Sequence, residues 1–151
     1  MLAVLIAAVT LTSVASAGPT ATKQRVQITM KGLPNGEFVF SPLQSGPLKS
    51  DSGTVHLTAG SFTPRIVIRD GQSVSIYKPV VWQLEGKRGS LTIREPRNEW
   101  VETGDASIGT GTWMVVRGTG QYAGIAGGGR SAHAGMGREW FARQEGFLTL
   151  P

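Results

Sequence analysis

The chain has 151 residues, no cysteine, and a formal net charge of +5 from 15 Lys and Arg against 10 Asp and Glu. The absence of cysteine excludes disulfide scaffolds, thiolate metal sites and thiol catalysis, and a domain of this length buries enough surface to fold without a metal or a cross-link. Basic residues are spread along the chain, with Lys87-Arg88 as an adjacent pair, and no run reaches five like charges, which excludes a polyanion-binding tail and gives no specific nucleic-acid partner.

The first segment, Met1 to Leu11, is an apolar run that leads into Ala15-Ser16-Ala17. Small residues at Ala15 and Ala17 form the A-x-A pattern of a signal peptidase site. Residues 1–17 therefore read as a cleavable export signal, although no Lys or Arg precedes the apolar run. That run is shorter than the ~18 residues that span a bilayer, and no cysteine follows for lipidation. The expected product is secreted after cleavage following Ala17, with no stable membrane anchor. Residues 18–23 read as a flexible leader and 24–151 as one domain.

Alternation of apolar and polar residues then repeats between breakers. Val26, Ile28 and Met30 share one face of Arg25–Met30, which is the period-2 pattern of a half-buried strand. A turn is expected at Gly32–Gly36. Further strands are expected at Glu37–Phe40, Gly53–Thr58, Arg65–Arg69, Ser73–Tyr77, Val80–Glu85, Ser90–Arg94, Thr110–Arg117, Arg130–Ala134 and Ala142–Leu150. No apolar set recurs at helical spacing, and 21 glycines with 8 prolines would interrupt any long helix. The fold class is all-β. Short strands at this spacing point to a small eight-stranded antiparallel barrel, which leaves no exposed sheet edge.

The stretch from Gly111 to Gly129 is the most distinctive. It reads as a strand, a tight glycine turn, one short helical turn carrying Tyr122 and Ile125, and a glycine-rich return. Gly118, Gly120 and Gly124 do not meet the G-x-G-x-x-G spacing, and no G-x-x-x-x-G-K-[ST] is present, so a phosphate cradle is disfavoured. Tyr122 and Ile125, three apart, place two apolar groups on one side of a turn. Gly118, Gly120, Tyr122, Gly124 and Ile125 are accordingly expected to close one end of the barrel.

The pattern Trp113-x-Val115-Val116-x-Gly118-Thr119-Gly120-x-Tyr122-Ala123-Gly124-Ile125-x-Gly127-x-Gly129, preceded by Gly86-x-Arg88-Gly89-Ser90-Leu91, resembles exported bacterial proteins of the allene oxide cyclase-like barrel group, relatives in fold of plant dirigent proteins. The resemblance covers about the second half of the mature chain. It implies a calycin-like, eight-stranded antiparallel barrel with a central cavity, and it transfers no catalytic position.

His56 and His133 lie far apart without a local histidine partner, which gives no metal site, and no cofactor motif occurs. Glu95 and Glu99 flank a proline in a charged stretch that reads as an exposed hairpin loop. Glu85 shares a strand face with Val81 and Gln83, opposite Trp82 and Leu84. Tyr77, Trp82, Glu85, Trp113 and Val115 are the expected ligand-lining residues, since aromatics in a small barrel either fill the core or wall a pocket. Trp100 and Trp140 are expected nearer loops, at a barrel mouth. The leading expectation is a barrel that binds a small apolar or amphipathic molecule. The alternatives are a cyclase- or isomerase-type enzyme that imposes a substrate conformation, and an interaction module whose basic surface docks on anionic polymer or a protein.

Overall fold

The computed structural model describes residues 21–151 except 33, 34, 61, 62 and 138. The expected signal, half of the leader and two residues of the Gly32–Gly36 turn lie outside the described residues.

Eleven strands follow one another: β1 Lys23–Lys31, β2 Asn35–Pro42, β3 Asp51–Ala59, β4 Arg65–Arg69, β5 Gln72–Tyr77, β6 Val80–Gly86, β7 Gly89–Glu95, β8 Asn98–Thr103, β9 Ala106–Gly118, β10 Ala126–Met136 and β11 Glu139–Thr149. Eight of them, in the order β1-β2-β3-β6-β7-β9-β10-β11 and back to β1, form a closed antiparallel barrel. The all-β barrel is therefore the observed architecture.

The remaining three strands, β4, β5 and β8, prolong the barrel wall at one end. The C-terminal half of β9 pairs with β7, from Arg94↔Met114 to Leu91↔Gly118. Its N-terminal half pairs with β8, from Asn98↔Gly111 to Thr103↔Ala106. β7 and β8 thus behave as one strand interrupted at Pro96-Arg97, and β5 and β6 as one interrupted at Lys78-Pro79. A proline offers no N–H to a ladder, and here two proline-containing breaks face each other between the pairs Val80↔Glu95 and Tyr77↔Asn98. The stretch around Glu99, expected as an exposed hairpin loop, is instead strand β8. Its backbone finds partners on both sides, in β5 and β9, which local composition does not announce.

Alternating side chains fill the interior. Val26, Ile28, Phe38, Phe40, Val55, Leu84, Leu91, Ile93, Trp113 and Leu148 are all buried in one cluster. At the end where β9 stops, a single 3-10 turn at Gly120–Tyr122 packs inward. Tyr122 is fully buried, meets Phe40 edge-on at 5.2 Å, and donates its hydroxyl to Asp51 Oδ2 at 3.1 Å. Burial raises the Tyr122 phenol far above its ordinary value, so it stays a neutral donor. Asp51 also accepts the backbone N–H groups of Lys87 and Arg88 in the β6–β7 turn. Gly118 and Gly120 bring the backbone so close to Tyr122 and Arg88 that a Cβ at either would collide. Ile125 is buried beside this turn.

Candidate ligand site

The opposite end, where β4, β5 and β8 extend the wall, holds a cavity of about 300 Å³. Its position follows from a cross-strand row. Trp100 on β8 lies opposite Gly109 on β9, Gly109 opposite His133 on β10, and His133 opposite Ala142 on β11. Gly109 is needed there, because a Cβ would stand 2.6 Å from the Trp100 indole. One row deeper, Asn98, Gly111, Ser131 and Gln144 are paired in the same way. A Cβ on Gly111 would collide with Asn98 Oδ1.

Aromatic rings make the walls. Trp100 lies 5.2 Å from His133, His133 lies 5.8 Å from Trp140, and Trp140 stacks on Trp82 at 5.4 Å. Tyr77 meets Trp100 edge-on at 6.0 Å. Ring pairs at these separations contribute about 0.5–1.5 kcal/mol each beyond simple burial. The stack fixes the imidazole between two indoles.

Beneath the rings sits a polar floor. Glu95 is 1% exposed and accepts three neutral N–H donors: Trp82 Nε1 at 3.3 Å, Asn98 Nδ2 at 2.7 Å and Gln144 Nε2 at 2.9 Å. His133 Nε2 lies 3.5 Å from Glu95 Oε1. Burial pushes the His133 imidazole below its ordinary value, against a smaller opposing pull from the Glu95 carboxylate. Both ring nitrogens of His133, with Asn98 Oδ1, Ser131 Oγ and Gln144 Oε1, are buried without a hydrogen-bond partner among the described residues. An unmet buried polar group costs about 1–3 kcal/mol, so five such atoms, three of them on the cavity-lining residues His133 and Asn98, are a feature no packing argument explains. Among the described residues no three His, Asp or Glu side chains converge as metal ligands.

Of the expected lining residues, Tyr77 and Trp82 stand in this cavity. Trp113 and Val115 lie within or against the core and do not line it, and the Trp113 indole donates to the Glu145 carbonyl. Glu85 faces outside, where Gln83 donates to it. Trp100 and Trp140, expected nearer loops, sit on strands β8 and β11 and form two of the walls. Asn98, Ser131 and Gln144 were not expected in a site, Glu95, a candidate acid–base carboxylate by residue type, was expected in an exposed loop, and His133 was expected only as an isolated strand histidine. The signal for Glu95 was present: Leu91 and Ile93 alternate inward, and one further step of two reaches Glu95. The same step links Ser131 to His133 and Ala142 to Gln144.

A larger groove of about 800 Å³ runs along the outer wall past Arg97, Arg130 and Arg143. Its charges are largely satisfied, Arg97 by Glu99 and Arg143 by Glu145; Arg69, with Arg97, holds the Glu99 carboxyl below its usual range, and Arg143, with Arg25, does the same for Glu145. Of its described lining residues only Ser131 is a buried polar group, and no buried carboxylate lies among them. Compared with models of known protein families, with characterised proteins and with solved structures, the chain matches none.

Proposed function

We propose that this is an exported protein that binds a small molecule with an apolar or amphipathic body in the open end of the barrel. The observation that carries the reading is the aromatic-walled cavity set over buried polar atoms that lack partners. Apolar walls with a few convergent polar groups are the usual composition of a small-molecule site. Kinship with allene oxide cyclase-like barrels is part of the proposal, supported by the glycine-turn motif around Tyr122. Export is supported by the A-x-A pattern at Ala15–Ala17.

Native mass spectrometry of the protein isolated from the culture medium of its producing cells tests both parts. The expected spectrum shows a chain beginning at Gly18 that carries a small-molecule adduct, and Trp100→Ala abolishes the adduct while the fold is kept. A chain that stays in the cells with residues 1–17 intact overturns export. An adduct unchanged in Trp100→Ala overturns the placement of the site.

A second reading, catalysis of cyclase or isomerase type, has one observation in its favour: the buried contact between His133 and Glu95 at the cavity floor. Stoichiometric recovery of the adduct chemically unchanged after prolonged incubation with excess protein counts against it.

A further inference from the structure

We propose that the ligand is a protonated amine, an ammonium head bearing N–H donors on an aromatic or apolar body, with Glu95 as its counter-charge. This deepens the reading above and rests on it. The inference comes from the sign of what the floor lacks.

Glu95 is 1% exposed, and the three groups that donate to its two oxygens, the Trp82 indole and the Asn98 and Gln144 amides, are neutral. Among the described residues no Lys or Arg forms an ion pair with it, and the one ionisable partner is His133, whose charging burial opposes. A carboxylate taken out of water without a cation is strongly disfavoured. A positive ligand supplies the missing partner.

The orientation of the amides points the same way. A carboxylate only accepts, so Asn98 and Gln144 turn their N–H₂ ends toward Glu95. Their oxygens are thereby left facing elsewhere, buried and without a donor. The Ser131 hydroxyl and a neutral His133 imidazole complete the unmet set, each bringing one donor as well as a lone pair, so that acceptors outnumber donors in it. A group that satisfies acceptors brings N–H donors, as a primary or secondary ammonium does and a carboxylate head cannot.

The cavity walls agree. The described lining contains two carboxylates, Glu95 on the floor and exposed Glu139 at the rim, and neither Lys nor Arg. Tyr77, Trp82, Trp100 and Trp140 add aromatic surface, which attracts cations more than anions. The basic residues of a chain with charge +5 are thus kept off the described lining of this one cavity.

Three probes that share a phenylethyl body separate the possibilities: 2-phenylethylammonium, 2-phenylethanol and 3-phenylpropanoate. Each is titrated into the purified chain at neutral pH and followed by tryptophan fluorescence and calorimetry. The ammonium is expected to bind at least about tenfold more tightly than the alcohol, with the propanoate weakest; by the tenfold rule this is about 1.4 kcal/mol. Glu95→Gln brings the ammonium down to the alcohol and leaves the alcohol unchanged, while Glu139→Gln keeps the preference. The alcohol or the propanoate binding as tightly as the ammonium overturns the charge assignment and leaves the cavity reading standing. Loss of preference in Glu139→Gln but not Glu95→Gln overturns the role of Glu95. Binding of none of the three to the folded chain overturns the cavity reading as well. If Glu95→Gln does not fold, the ranking of the three probes on the unaltered chain decides.

Discussion

Gly109 and Gly111 make the inner face of β9 flat where β8 and β10 need room, and the site depends on that flatness. A glycine inside a strand ordinarily costs about 0.5–1 kcal/mol relative to alanine through lost entropy, so Gly109→Ala would stabilise the chain if nothing stood in the way. The Trp100 indole stands 2.6 Å from the new Cβ, and it is held by Tyr77 on one side and His133 on the other. Forcing an extra methyl into such packing costs about 1–3 kcal/mol, which outweighs the entropic gain. The expected outcome is a net loss of about 1–2 kcal/mol, read as a lower urea midpoint with an unchanged slope, together with a weakened aromatic signal in near-ultraviolet circular dichroism. A variant as stable as the native chain would mean that the ring moves freely and that the stack is not a fixed wall.

At the scale of elements, the extension differs from the barrel that carries it. Among the described residues β4 pairs only with β5, and Ile66 and Ile68 on this outermost strand are 63% and 70% exposed. The two strands are joined by Asp70-Gly71, both at positive φ, which is the two-residue turn that matches strand twist. Gly71 has φ +79 and open space around it, so Gly71→Val brings backbone strain of about 1–2 kcal/mol without a clash. Because β4 and β5 have few buried contacts, hydrogen exchange is expected to quicken in 65–77 while the barrel strands keep their protection. An equal loss of protection in β1 and β11 would show that the extension and barrel unfold as one unit. The same division explains what was legible. Strands such as Arg25–Met30 were readable because one face is buried and the other is wet, and the barrel followed from their number and spacing. β8 was not readable, since Asn98 to Thr103 mixes charge and bulk, and its strand character comes from partners distant in sequence. The site was half legible: the aromatics advertised themselves, whereas Glu95 was hidden by a proline and an arginine that follow it and suggest solvent.

For the whole molecule, the barrel keeps its basic charge outside and an ionisable pair inside, and that arrangement makes stability depend on pH in a defined direction. Burial lowers the folded-state pKa of His133, so the unfolded chain takes up a proton more readily than the folded one. Stability from this residue is complete above the unfolded value of about 6.5 and is lost as pH falls below it toward the folded value. The slope for one proton is at most about 1.4 kcal/mol per pH unit. Glu99 and Glu145 are held below the usual carboxylate range by their arginines, so their stabilising contributions fade only at more acidic pH, and their exposure keeps them small. Between about pH 6.5 and pH 5 the expected result is therefore a falling urea midpoint in the native chain and a flatter profile in His133→Gln, which keeps hydrogen-bonding capacity but does not titrate. A profile equally steep in both would assign the proton uptake to another group and would mean that the imidazole between Trp100 and Trp140 accepts its charge in the folded barrel, with Glu95 as partner enough.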